Sequence, residues 1–148
     1  GIIFTIVVNH QISMKVILFG KGDRAYYCLK ELVMRGCEIV SVVGNKKNGH
    51  YYDEKFIDFA KQQSLPVILS NNINSPSELV LIQTLFPDLF VMAGFTQILK
   101  QKILSVPTIG TINLHGGKLP QYRGGSSINW QIINGESEDI NEDKNGKI

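Results

Sequence analysis

The run Leu89-Phe90-Val91-Met92-Ala93 constrains the fold of this chain more than any other short stretch. Five successive apolar side chains leave no polar face, so a strand built from them must be covered on both sides. Covering both sides takes a layer of helices above the sheet and another below it. The rest of residues 15–135 agrees with that demand. Residues 16–19, 38–43, 66–69, 89–93 and 110–114 read as strands, and 23–34, 53–63, 76–86, 97–104 and 126–134 read as helices. Gly36 is placed to end the first helix. Residues 44–49 read as a polar loop. Ser75 stands as an N-cap before Pro76 at the first helical position. The alternation predicts an α/β fold, with a doubly wound, mostly parallel sheet and helices on both faces. Ligands of such sheets bind beyond the carboxyl ends of the strands.

At 148 residues the chain fits one ordinary domain, and its 43% hydrophobic and 19% charged content is that of a globular protein. A net charge of +2 gives no support for a nucleic-acid or anionic-membrane partner. The apolar run Ile2-Ile3-Phe4-Thr5-Ile6-Val7-Val8 is too short to span a bilayer and lacks the flanks of a secretory signal. Met14 directly precedes the first strand, so residues 1–13 read as an N-terminal extension and 14–136 as the domain. From Glu136 onward apolar side chains almost vanish, and residues 137–148 are expected to be a frayed tail. Cys28 and Cys37 offer no metal-ligand spacing and read as buried thiols, which suits a reducing cytosol. No metal is expected, and the location is expected to be cytoplasmic.

Two segments carry possible chemistry. Gly20-Lys21-Gly22-Asp23-Arg24-Ala25 follows a strand and opens a helix, as a dinucleotide-binding turn does. The acid that should close the second strand is missing, and Gly44-Asn45-Lys46-Lys47 stands there instead. The lysines leave room for an NADP-type ligand, while the simpler reading is a tight strand-to-helix turn. The second segment runs from Gly110 through Asn113 and His115 into a stretch with Gly116, Gly117, Pro120, Gly124 and Gly125. Residues two apart on a strand share a face, so Asn113 and His115 are expected together at a carboxyl end. An amide can stabilise an oxyanion, and an imidazole can act as acid or base, so the pair suits acyl transfer. Taken alone, it suits a loop-capping network as well.

The flanking residues add a resemblance. Asn113-Leu114-His115 followed by Leu119-Pro120-Gln121-Tyr122-Arg123-Gly124 resembles the signature of the formyltetrahydrofolate-dependent formyltransferases. The likeness continues through Ile128-Asn129-Trp130-Gln131-Ile132-Ile133-Asn134-Gly135-Glu136. Upstream, Pro87-Asp88-Leu89-Phe90-Val91-Met92-Ala93-Gly94-Phe95 resembles the strand and loop bordering that family's folate pocket. The resemblance implies a Rossmann-like formyltransferase domain that moves a formyl group from 10-formyltetrahydrofolate to a primary amine. It implies that Asn113 holds the oxyanion and His115 assists as acid or base. It implies that Met92, Ala93, Gly94 and Phe95 line the pterin site. Arg123 has two open readings, a contact to an anionic substrate or a brace for its own loop. Trp130 reads more simply as core than as a substrate platform.

His115-Gly116-Gly117-Lys118-Leu119-Pro120 and Gly124-Gly125-Ser126-Ser127-Ile128-Asn129-Trp130 look most like the nucleotide-sugar N-formyltransferases of the family. A nucleotide-linked amino sugar is therefore the expected acceptor, feeding polysaccharide biosynthesis, with methionyl-tRNA as the alternative. The family's third catalytic residue is an aspartate beyond the Gly-Glu of the signature. Ser137-Glu138-Asp139-Ile140-Asn141 breaks the family pattern there, and neither Asp139 nor Asp143 has the expected context. The resemblance thus implies a C-terminally truncated domain: a weak enzyme, a folate-binding remnant or an unstable fragment. The oligomeric state is not readable.

Overall fold

The computed structural model describes residues 14–47, 50–51, 55–115, 129–133 and 139–141. The elements, in chain order, are β1 (Lys15–Gly20), α1 (Gly22–Met34), β2 (Glu38–Lys47), β3 (His50–Tyr51), α2 (Lys55–Gln62), β4 (Val67–Ser70), α3 (Pro76–Gln83), β5 (Leu89–Ala93), α4 (Gln101–Leu104), β6 (Gly110–His115), β7 (Asn129–Ile133) and β8 (Asp139–Asn141). Five strands run parallel in the order β4-β2-β1-β5-β6. The chain moves outward from β1 through β2 to β4, then returns past β1 to β5 and β6. That reversal makes the sheet doubly wound and leaves a crevice between the carboxyl ends of β1 and β5.

Two buried clusters explain why the strands carry apolar side chains on both faces. On one face Val16, Leu18, Leu89, Val91, Ile112 and Leu114 pack with Leu29 and Leu32 of α1 and Phe56 and Ile57 of α2. On the other, Ile17, Phe19, Val43 and Phe90 pack with Ile82 of α3 and Ile103 and Leu104 of α4. Phe19 and Phe90 meet edge to face at 4.8 Å, and neither exposes any surface. Burial of a ring of this size contributes about 2–3 kcal/mol, which makes the β1–β5 seam a principal anchor.

The local signals act as the physics requires. Ser75 Oγ accepts the Glu78 amide and Pro76 opens α3. Gly36, at φ +77°, closes α1, with its N–H on the Val33 carbonyl and that of Cys37 on Leu32. Cys28 is buried and Cys37 half-buried, both free thiols.

Four segments depart from the sequence expectation. The loop expected at 44–49 is partly strand, because β2 continues to Lys47 and pairs antiparallel with β3. The helix expected at 97–104 forms only as α4, since residues 97–100 are drawn into side-chain hydrogen bonds described below. Within the helix expected at 126–134, Asn129–Ile133 instead form β7, antiparallel to β6. The Ile128, Ile132, Ile133 spacing behind the helical reading is too short to separate the two periods, and Trp130, Ile132 and Ile133 are good strand formers. Within the tail, Asp139–Asn141 form β8 against β7. The remainder of 137–148, like residues 1–13, lies outside the described residues.

Candidate functional site

The carboxyl ends of β1, β5 and β6 bring together most of the residues singled out from the sequence. Met92 of β5 and Asn113 of β6 are direct register partners. Ile112 and Leu114 are buried in the cluster under α1, and Asn113 alternates with them, half-buried. Two positions earlier Thr111 is buried beside Phe90, and its hydroxyl has no hydrogen-bond partner among the described residues. His115 is the last residue of β6, two positions beyond Asn113 and paired through its backbone with Asn129. Arg123 lies outside the described residues.

Beyond Met92 the chain turns sharply. Gly94 has φ +78°, and a Cβ there would lie 2.9 Å from the Lys21 carbonyl. The Lys21 N–H donates to the Ala93 carbonyl at 3.1 Å, and Gly94 bridges to Gly20. A Cβ on Gly20 would come within 2.4 Å of Ala25 Cβ. The glycine turn after β1 therefore packs tightly against the β5 turn. This is the tight-turn reading of Gly20 to Ala25, with the Lys21 N–H donated to the Ala93 carbonyl.

Residues 95–100 then cross the carboxyl end of β1 toward β2 and β4. Phe95 is half-buried and meets Phe19 edge to face at 5.5 Å. Leu99 is buried, whereas Ile98 is exposed. The peptide groups of residues 95–99 make no backbone–backbone hydrogen bond among the described residues. Side chains hold the loop instead. The Gln97 carboxamide donates to Asn45 Oδ1 at 2.9 Å and to the Ser70 carbonyl at 2.8 Å, and accepts the Ile73 amide at 2.7 Å. The Thr96 hydroxyl also donates to Asn45 Oδ1, at 3.0 Å. Asn74 receives the Lys100 amide and donates to the Ile98 carbonyl, both at 2.8 Å. The Nδ2 of Asn45 is buried without an acceptor among the described residues, an arrangement that costs about 1–3 kcal/mol.

Ser70, Asn74 and Gln97 do not stand out in the sequence, and Asn45 does so only as part of the stretch that replaces a ribose-binding acid. Their partners lie 24 to 52 residues apart for the Gln97 and Asn74 contacts, and no local pattern reports such distances. The polar Thr96-Gln97 pair inside an otherwise apolar Gly-Phe-Thr-Gln-Ile-Leu run was the available signal.

A hollow of about 310 Å³ opens elsewhere, lined by Gln83, Phe86, Pro87, Ser105, Val106 and Thr108. These residues precede β5 and β6, so the hollow lies at the amino ends of the strands, away from Asn113 and Met92. Among the described residues no cluster of three or more potential metal ligands forms, and no helix is long and apolar enough to cross a membrane.

The geometry defines a doubly wound α/β domain with a polar strand end and a glycine-turned loop at its switch point. Residues 14–139 match the family model described as formyl transferase, and the chain belongs to that family. A methionyl-tRNA formyltransferase of Geobacter metallireducens is 35% identical over 131 residues, which are 85% of this chain and 42% of that protein. The bifunctional polymyxin resistance protein ArnA of Wigglesworthia glossinidia brevipalpis is 36% identical over 127 residues, 83% of this chain and 19% of that protein. The chain thus spans less than half the length of these relatives. Among solved structures, a phosphoribosylglycinamide formyltransferase from Streptococcus pneumoniae superposes with a TM-score of 0.58 at 15% identity. The match covers 86% of this chain and 79% of that one. The counterpart from Coxiella burnetii gives a TM-score of 0.56 at 18% identity, covering 89% and 69% respectively. At such identities the likeness establishes the Rossmann-like fold. The formyl donor used in this family is 10-formyltetrahydrofolate.

Proposed function

We propose that this chain binds 10-formyltetrahydrofolate at the crevice between β1 and β5 and passes its formyl group to a primary amine. The observation that carries the reading is the register pairing of Met92 with Asn113, directly before a loop whose peptide groups join no backbone ladder among the described residues. The residues present fit a flat, amide-edged heterocycle. Met92 and Phe95 offer half-buried apolar surface, Ala93 and Gly94 bring the chain close, and the peptide groups beyond them can pair with the ring edge. When bound, the donor supplies the activated formyl group.

The chain's own residues have separate tasks in this reading. Asn113 orients the carbonyl oxygen and stabilises the charge that builds on it under attack by an amine. His115 accepts or returns a proton at the same centre. Arg123, beyond the strand, contacts an anionic part of the acceptor or braces its own loop.

For the acceptor we propose a nucleotide-linked amino sugar. The stretch His115 to Trp130 and the net charge of +2, which leaves no basic footprint for RNA, support it. A second reading, methionyl-tRNA, is favoured by the name of the Geobacter metallireducens relative, which is 35% identical. The test is tetrahydrofolate release from 10-formyltetrahydrofolate, with thymidine-diphosphate 4-amino sugars and methionyl-tRNA as separate acceptors. Release with one acceptor, reduced about 100-fold or more in Asn113→Ala, is the expected result and names the substrate. A folded chain that binds the donor yet releases nothing with either acceptor would be a folate-binding domain without turnover.

A further inference from the structure

We infer that Gln97 is a positioning residue for the donor site, clamping the loop of residues 94–98 across the switch-point crevice. The inference rests on the donor-binding reading above. Its physical basis is the path of the loop. The chain leaves β5, passes over the carboxyl end of β1, and is fastened at the ends of β2 and β4. One carboxamide makes all three of its strong contacts there, two through Nε2 and one through Oε1. Each N–H faces a carbonyl-type oxygen, and Oε1 faces a backbone N–H, so the amide has a single satisfying orientation.

Asn45 supports the same clamp from below. Its Oδ1 takes two donors from the loop, one from Thr96 and one from Gln97. Its Nδ2 is buried and unpaired among the described residues. The side chain is therefore oriented to serve the loop at the expense of its own second group, as happens where geometry at a site outranks local stability. Among the described residues, 95–99 make no backbone–backbone hydrogen bonds, and the conformation of their peptide groups depends on these side chains. Those are the same groups that the donor-binding reading assigns to the ring edge. Releasing the clamp lowers the fraction of chains with a competent loop, and the apparent affinity falls by that fraction.

The experiment compares the wild-type chain with Gln97→Ala, Gln97→Glu, Asn45→Ala and, as a control at the far end of the sheet, Asp88→Asn. Binding of 5-formyltetrahydrofolate, a stable isomer of the donor, is followed by calorimetry, and thermal unfolding is measured alongside. Gln97→Ala is expected to weaken binding about tenfold. Gln97→Glu should do at least as much, because a carboxylate sets an acceptor against Asn45 Oδ1 and the Ser70 carbonyl. Asn45→Ala should weaken binding less, since the Ser70 and Ile73 contacts remain. Asp88→Asn should lower the unfolding temperature with binding unchanged. Equal affinity in wild type and Gln97→Ala overturns the inference. So does an Asp88→Asn variant that loses affinity in step with its stability, for binding would then track stability alone. A wild-type chain that is folded and does not bind the probe overturns the donor-binding reading itself, and the inference with it.

Discussion

The two ends of the parallel sheet are fastened by different chemistry. At the amino end, backbone and a carboxylate do the work. Asp88 Oδ2 accepts the Lys15 amide at 3.0 Å and Oδ1 accepts the Thr108 hydroxyl at 2.7 Å. The Asp88 amide donates to the Lys15 carbonyl and the Ile109 amide to the Asp88 carbonyl, both at 2.8 Å. One residue thus joins the starts of β1, β5 and β6 with its peptide groups paired. At the carboxyl end the crossing loop has no such ladder and hangs on the amides of Gln97, Asn45 and Asn74. Among the described residues, two buried polar atoms without partners, Arg24 Nε and Asn45 Nδ2, belong to this end, while a third, Thr111 Oγ1, lies on the second residue of β6, toward the amino end. The amino end is tied by paired peptide groups and a carboxylate, and the carboxyl end, where ligands of this architecture bind, relies on side-chain amides.

The largest effect expected on that contrast comes from joining the two glycine turns less closely. In Gly20→Ala the new Cβ would sit 2.4 Å from Ala25 Cβ and 3.0 Å from the Ala93 carbonyl oxygen. Neither atom is the end of a flexible side chain, so a loss of about 3 kcal/mol is expected in denaturant unfolding. A loss under about 1 kcal/mol would mean that the strand ends are looser than described. Gly94→Ala should cost less, about 2 kcal/mol, through the left-handed φ of +78° and the 2.9 Å approach to the Lys21 carbonyl. Donor binding should fall with it, because the turn aims residues 95–98 over β1. Unaltered binding in a folded Gly94→Ala chain would separate the turn from the site.

The amino end supplies the smallest of these effects and a different dependence on pH. The Lys15 amide, then the Thr108 hydroxyl, holds the Asp88 carboxyl below its ordinary value. A folded-state value below the unfolded one means that the stabilisation is complete above about pH 4. It is lost as the pH falls through the lowered folded value. Asp88→Asn should therefore cost about 1 kcal/mol at neutral pH, and the gap from wild type should narrow on acidification. A gap that is constant down to pH 2 would show that the carboxylate charge contributes nothing. By contrast the thiol of Cys28, pushed up to about 12 chiefly by burial, stays protonated throughout that range.

The sequence by itself determined the layered architecture, because each strand and helix announces its own face through spacing. Leu89–Ala93 had to be covered on both sides, Ser75-Pro76 had to open a helix, and Gly36 had to end one. It also put Asn113 and His115 two apart on one strand, within a signature long enough to indicate the family. Where the period was short, as at Asn129–Ile133, the same reasoning chose helix where the structure has strand, since five residues satisfy both spacings. Only the tertiary structure decided which elements lie side by side. The reversal between β1 and β5 brings Met92 against Asn113, although 21 residues separate them in the chain. It also carries Gln97 back to Asn45, 52 residues earlier, and Asp88 to Lys15, 73 residues earlier. Periodicity is written into neighbouring residues because it follows from local backbone geometry. Strand order follows from how whole apolar faces pack and which loops can close, a property of the assembled layers that no single stretch of sequence contains.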